Sequence, residues 1–244
     1  MPKHLRVLLP AAALGLAATA LLPLPASRAA VDRGAYSFSV AGVRVGAATF
    51  AFEQSGASYS ASTRIDTAGI VGMFADFFFD GQASGRLGSG GKVVPELFTA
   101  TSKSPRALRK SRIEWKNGTP VRVSVEPPRD SAPDPAEQGG TLDPVSATLR
   151  LLRDAPVGEI CNTTVLVYDG SRVSRLKLAA PVEADGRLVC TGAYARLKGE
   201  ASSMVGAREF PFSITFTRTE GGMATLERIE APTNFGQAVV ARMD

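Results

Sequence analysis

The stretch FPFSITFT, residues 210–217, sets Phe210, Phe212, Ile214 and Phe216 on one side and Ser213, Thr215 and Thr217 on the other. Successive side chains of an extended strand point to opposite faces. A period of two therefore predicts a strand with one buried face. The same period recurs elsewhere. Tyr36, Phe38 and Val40 alternate with Ser37 and Ser39. Ala48, Phe50 and Phe52 resume it beyond Gly42, and Tyr59, Ala61, Thr63 and Ile65 repeat it. One packed face and one solvated face is the mark of antiparallel pairing.

The turns agree. Asn117-Gly118 separates Ile113 and Trp115 from Val121, Val123 and Val125. Asp169-Gly170 separates Val165 and Val167 from residues 173–178, and Gly221-Gly222 separates residues 210–217 from residues 224–229. Such dipeptides supply the positive φ of tight hairpins. The count is about ten strands, mostly joined by hairpins. A sheet that large curls or splits into layers. The expected fold is mainly β, a strongly curved antiparallel sheet forming an open or closed barrel, with one or two short helices.

Asp143-Pro144 is a helix start, an acid at the N-cap followed by Pro at the first helical position. Val145, Leu149 and Leu152 then form one apolar stripe, which predicts a helix over 143–153. A Pro-rich loop over 126–142 precedes it, with Pro127, Pro128, Pro133 and Pro135. Residues 30–244 are expected to form a single β-rich domain containing this loop. Two β halves divided by the loop is the other arrangement it allows. The segment AGIVGMFADFFFD, residues 68–80, is the second irregular element. Ile70, Met73, Phe74, Phe77 and Phe78 fit one helical stripe, so a short helix is expected there, either plugging the core or covering an apolar cavity.

Lys3, His4 and Arg6 precede an apolar run from Val7 to Leu24, and Ser27-Arg28-Ala29 places small residues at the positions a signal peptidase reads. Residues 1–29 are therefore expected to be a secretory signal, with cleavage near Ala29. The competing reading is a membrane anchor. Pro10, Pro23 and Pro25 interrupt the run, and it is short for a full span. No Cys near the cleavage point offers a lipoprotein anchor. Loss of Lys3, Arg6 and Arg28 takes Lys+Arg from 28 to 25 against 23 acids, and the net charge from +5 to +2. That weakens any case for nucleic acid. The only His, His4, leaves too, which excludes a Ser-His-Asp mechanism and a His-based zinc site. Cys161 and Cys190 form an even pair and read as one disulfide of an oxidising compartment. Redox pairs usually sit closer in sequence.

Candidate chemistry is sparse. There is no P-loop, dinucleotide fingerprint or Ca²⁺ loop, and no metal or cofactor is called for. An apolar ligand on the concave face would meet Phe50, Phe52, Phe212 and Phe216, with Met73, Phe74, Phe77 and Phe78 as its cover. Lys103, Arg106, Arg109 and Lys110 form a basic cluster that could contact the anionic end of a ligand, or else a solvated sheet edge. A His-independent enzyme acting on envelope polysaccharide is the alternative. It would use Tyr36, Tyr59, Tyr168 or Tyr194, or the carboxylates Asp66, Asp76 and Asp80.

Several of these pieces occur in a recognisable order. YSFSVAGVRVGAATFAFEQSGASYSASTRIDTAGIVGMF is followed by IEWKNG, the helix LDPVSATLRLLRD, the hairpin CNTTVLVYDGSRVSRLKL and then VCTGAYARLKGE. In these motifs the chain resembles the DUF3108 family of exported bacterial proteins, whose activity is unassigned. The resemblance spans nearly all of residues 30–244. It implies a barrel-like antiparallel β protein of the cell envelope, similar in general look to curved-sheet carriers of lipid or acyl chains. Likeness of fold alone does not establish function. The expectation is a non-enzymatic periplasmic or secreted protein that binds an apolar or amphipathic, lipid-like small molecule. A structural role beside another envelope protein is the further alternative. No nucleic acid and no membrane span of the processed chain are expected.

Overall fold

The structure, a computed structural model, describes residues 30–67, 77–105, 107–199 and 209–243. The expected signal, residues 1–29, lies outside them. A seven-stranded meander comes first: β1 (Ala30–Val40), β2 (Val43–Ser55), β3 (Ser58–Thr67), β4 (Phe78–Leu87), β5 (Val93–Ser104), β6 (Ala107–Lys116) and β7 (Thr119–Glu126). One helix, α1 (Pro144–Leu152), follows. The second run holds β8 (Ala155–Pro156), β9 (Thr163–Tyr168), β10 (Val173–Leu178), β11 (Val182–Ala184), β12 (Arg187–Lys198), β13 (Glu209–Arg218), β14 (Met223–Thr233) and β15 (Gly236–Arg242).

All of these strands belong to one sheet, in the order β7-β6-β5-β4-β3-β2-β1-β15-β14-β13-β12-β10-β9, with β8 on β14 and β11 on β12. The two runs meet at β1 and β15, which pair antiparallel from Tyr36 with Arg242 to Val40 with Ala238. The ladder does not close. Its ends, β7 and β9, are bridged instead by the Pro-rich segment. Gly140 donates its N–H to Gly118 O (2.8 Å) in the β6–β7 turn, while Leu142 donates to Leu166 O and accepts from Tyr168 N–H, both at 2.8 Å. One connecting segment thus reaches the turn into β7 and supplies backbone partners to the edge strand β9.

The alternation read from sequence holds in β13, where Ile214 and Phe216 are buried and Thr217 is exposed. The hairpins at Asn117-Gly118, Asp169-Gly170 and Gly221-Gly222 are present, with φ of 53° at Asn117 and 77° at Gly118. Two expectations need correction. The described part of the segment expected to be helical, Phe77 to Asp80, runs into β4, where Phe79 pairs with Ile65 on one side and Ser102 on the other. A strand hydrogen-bonded along both edges satisfies its backbone as fully as a helix would. Residues 68–76 lie outside the described residues. The strand count also rises to fifteen among the described residues. In β4 the inward positions are Gly81, Ala83 and Gly85, which conceal the apolar period. The packing of α1 explains Gly81: a Cβ there would sit 2.9 Å from Val145 Cγ2.

Helix α1 lies inside the curve of the sheet. Oδ1 of Asp143 accepts the N–H groups of Val145 (2.9 Å) and Ser146 (2.8 Å), the N-cap expected from the sequence. Oδ2 accepts from the Ser146 hydroxyl, and Ser146 Oγ lies 2.6 Å from the Tyr59 hydroxyl on β3. Val145, Ser146 and Leu149 have no exposed surface. Burial raises the pKa of Asp143 to about 6, against the pull of its hydrogen bonds. It also pushes the Tyr59 phenol up.

Cys161, just ahead of β9, is joined to Cys190 on β12, with Cα atoms 6.2 Å apart. The bond lies past the end of β10, where Asn162 donates its N–H to Ala179 O and Ala179 donates to Thr191 O. A loop of 29 residues implies about 3–4 kcal/mol of stabilisation through loss of unfolded-chain entropy. Cys161→Ala with Cys190→Ala, or reduction of the wild type, is expected to lower stability by that amount in denaturant titrations. For Asp143 the raised folded pKa means its contribution is full below about pH 4 and is lost as pH rises through about 6. Asparagine can still cap but does not ionise. The stability of Asp143→Asn relative to wild type should therefore rise by ~2 kcal/mol between pH 4 and pH 7, measured by chemical denaturation at each pH.

Candidate functional site

Helix α1 divides the interior of the sheet into two unlike parts. Toward the first meander, Val145 and Leu149 join Tyr59, Phe98, Ile113 and Trp115 in a filled core. Toward the second run, Pro144, Ala147, Thr148, Leu151 and Leu152 stand off from the strands. A cavity of about 430 Å³ remains between them. Its far walls come from alternate residues of five strands: Val167 on β9, Ser174 and Leu176 on β10, Tyr194 on β12, Phe212 and Ile214 on β13, and Ile229 on β14. The volume falls within the range of small-molecule sites, and the lining is mainly apolar.

Pairing places these walls. Leu176 lies opposite both Val165 and Tyr194, Tyr194 opposite Phe210, and Gly192 opposite Phe212. A Cβ on Gly192 would come within 2.7 Å of the Phe212 ring and 2.8 Å of Leu178 Cδ2. The missing side chain gives the Phe212 ring room to lie along the sheet as a wall of the cavity. The rings of Tyr194 and Phe210 pack at 6.1 Å with their planes tilted by 46°.

Polar groups gather at the β9–β10 turn and below it. Asp169 Oδ1 accepts the N–H groups of Ser171 (2.7 Å) and Arg172 (2.8 Å), an Asx turn of its own making. Arg172 lines the cavity beside it. Deeper, the hydroxyls of Ser174 and Tyr194 are 2.9 Å apart. A mainly apolar chamber with polar groups at the turn is matched to a ligand of mixed character.

The aromatic set expected to hold a ligand is not one surface. Phe212 lines the cavity. Phe50 (7% exposed), Phe52 (6%) and Phe216 (0%) are packed in the core. Phe77 is exposed, and Phe78 faces outward into a shallow groove with Thr101 and Lys110. Met73 and Phe74 lie outside the described residues. Phe50 and Phe52 pack into the same core that α1 joins on the concave side through Val145 and Leu149. The basic cluster is also divided. Lys103 and Lys110 sit at outward positions of β5 and β6, whereas Arg109 takes an inward one opposite Ser102, and Arg106 lies outside the described residues. None of the three described cations lines the cavity.

Of the groups considered for catalysis, Tyr194 lines the cavity and the other described ones lie outside it. The Tyr168 phenol is pushed up to about 12 by burial and donates to Pro133 O and Gly170 O. Burial also raises Tyr36. Asp66 and Asp80 both pair with Arg64, at 2.8 and 3.4 Å, and Asp76 lies outside the described residues. Among the described residues no cluster of three His, Cys, Asp or Glu side chains could hold a metal, and no helix is long and apolar enough to cross a membrane. Ala147, Leu151, Arg172 and Ser174 are cavity residues that sequence reasoning passed over. Leu151 beside Leu152 was the available signal, since it widens the apolar stripe of α1 into two faces.

Comparison with solved structures finds likeness to the crystal structure of a β-barrel-like protein of a domain of unknown function, DUF1849, from Brucella abortus. The two are 14% identical, the match covers 87% of this chain and 95% of that one, and the TM-score is 0.48. No curated protein matches the chain. The family model of DUF3108, a protein of unknown function, matches residues 35–188, and since this is more than half of the sequence the chain belongs to the DUF3108 family.

Proposed function

We propose that the protein is a non-enzymatic component of the cell envelope. It binds an apolar or amphipathic, lipid-like molecule in the cavity between α1 and strands β9 to β14. The observation that carries this reading is the 430 Å³ chamber itself. Close packing is the rule in protein interiors, and voids larger than a water molecule are few. Here α1 buries Val145 and Leu149 fully on the side of the first meander, whereas on the side of the second run it borders an apolar pocket. An apolar guest recovers the dispersion contacts and the removal of apolar surface from water that such a void forgoes.

Export, as expected from residues 1–29, is part of the same proposal. The disulfide supports it, because such bonds persist mainly in oxidising compartments. The periplasm or the exterior is the compartment proposed.

Nile red, an uncharged apolar dye, serves as the probe. Its fluorescence is expected to rise on titration with the purified protein. Ala147→Phe places a ring in the chamber and should weaken dye binding at least about tenfold, with circular dichroism unchanged. Leu176→Trp fills it from the opposite wall and should act alike. Undiminished dye binding by both folded variants would overturn the assignment.

A further inference from the structure

Arg172 is placed oddly for a surface cation. It lines an apolar chamber, and its Nε is buried without a hydrogen-bond partner. Among the described residues no carboxylate lies within ion-pair distance of it. The one acid lining the same chamber, Asp169, spends Oδ1 on the backbone N–H groups of Ser171 and Arg172. The stem of Arg172 is held in place from outside, where the backbone of Gly199 runs so close that a Cβ there would lie 2.9 Å from Arg172 Cγ. The half-buried side chain thus carries a buried Nε–H with no acceptor, and a buried donor left unsatisfied is costly.

We infer that the cavity takes a single aliphatic chain ending in a carboxylate, with Arg172 holding the carboxylate and Leu151, Leu176, Phe212 and Ile229 holding the chain. This rests on the reading of the cavity as a ligand site and adds the class of ligand. The guanidinium presents paired donors in a plane that matches a carboxylate, a fit that a lysine would not reproduce. The volume suits one alkyl chain and is too small for a two-chain phospholipid, since ~430 Å³ is near the lower end for drug-sized ligands. The hydroxyls of Ser174 and Tyr194 lie on the same lining and can accept or donate to the head group.

Dodecanoate and dodecanol share a chain and differ in charge. Their affinities for the purified protein can be compared by displacement of Nile red. Wild type is expected to favour dodecanoate at least about tenfold, the worth of one charge-assisted hydrogen bond. Arg172→Gln should bring the ratio close to one by weakening dodecanoate more than dodecanol, and Arg172→Lys should restore part of the preference. Equal binding of acid and alcohol to wild type, or a preference that survives Arg172→Gln, would overturn the carboxylate assignment and leave the cavity intact. Failure of both compounds to displace the dye would remove the chain as well as the head group. If Arg172→Gln does not fold, Arg172→Lys decides, because an unchanged preference there contradicts the bidentate contact.

Discussion

The hydroxyl of Ser146 lies between the carboxylate of Asp143 and the phenol of Tyr59, and this chain of hydrogen bonds fixes where α1 sits within the sheet. All three groups are buried, so each needs the others. Loss of one partner would leave a polar atom in the core with no water to replace it. The pull of Tyr59 on β3 brings α1 against the first meander. There Val145 and Leu149 fill the space, and the sheet answers with Gly81 and Ala83 on β4. The opposite face of the helix, with Ala147, Leu151 and Leu152, borders the chamber.

The same logic ties the open edges to the site. A curved sheet with two free ends would expose unpaired backbone at β7 and β9. Residues 126–142 bridge those ends and lead directly into Asp143, so closure of the curve and seating of the helix are one structural event. Tyr168, on the edge strand β9, donates to Pro133 within that bridge. The disulfide then ties the stretch before β9 to β12 past the end of β10, and so holds two walls of the chamber together.

The chemistry of the interior is divided along the helix. On the filled side, ionisable groups are neutral or capped, as with Asp143, whose burial outweighs its hydrogen bonds. On the hollow side, the Ser174 and Tyr194 hydroxyls and the Arg172 guanidinium face space lined by aliphatic and aromatic carbon. The two hydroxyls partner each other at 2.9 Å, while the Nε of Arg172 is buried without a partner.

Local periodicity and turn chemistry are properties of neighbouring residues, so residues 210–217, the Asn117-Gly118 and Asp169-Gly170 hairpins and the Asp143-Pro144 helix start could be read directly. The curved antiparallel sheet followed from them, and the cysteine pair from the even count of cysteines. Which faces touch is a different matter. Phe50 and Phe212 look alike in sequence, each an apolar position of an alternating strand. One is in the core and the other lines the cavity, because α1 is docked on the first meander and stands off from the second run. The end of residues 68–80 was misread because an isolated segment does not disclose that strands await it on both sides. Arg172 was passed over because a single Arg after a hairpin turn is ordinary until Gly199, distant in sequence, packs on its stem. Local pattern decides what a segment can become, whereas the position of one helix, set by contacts between residues 59 and 146, decides what it encloses.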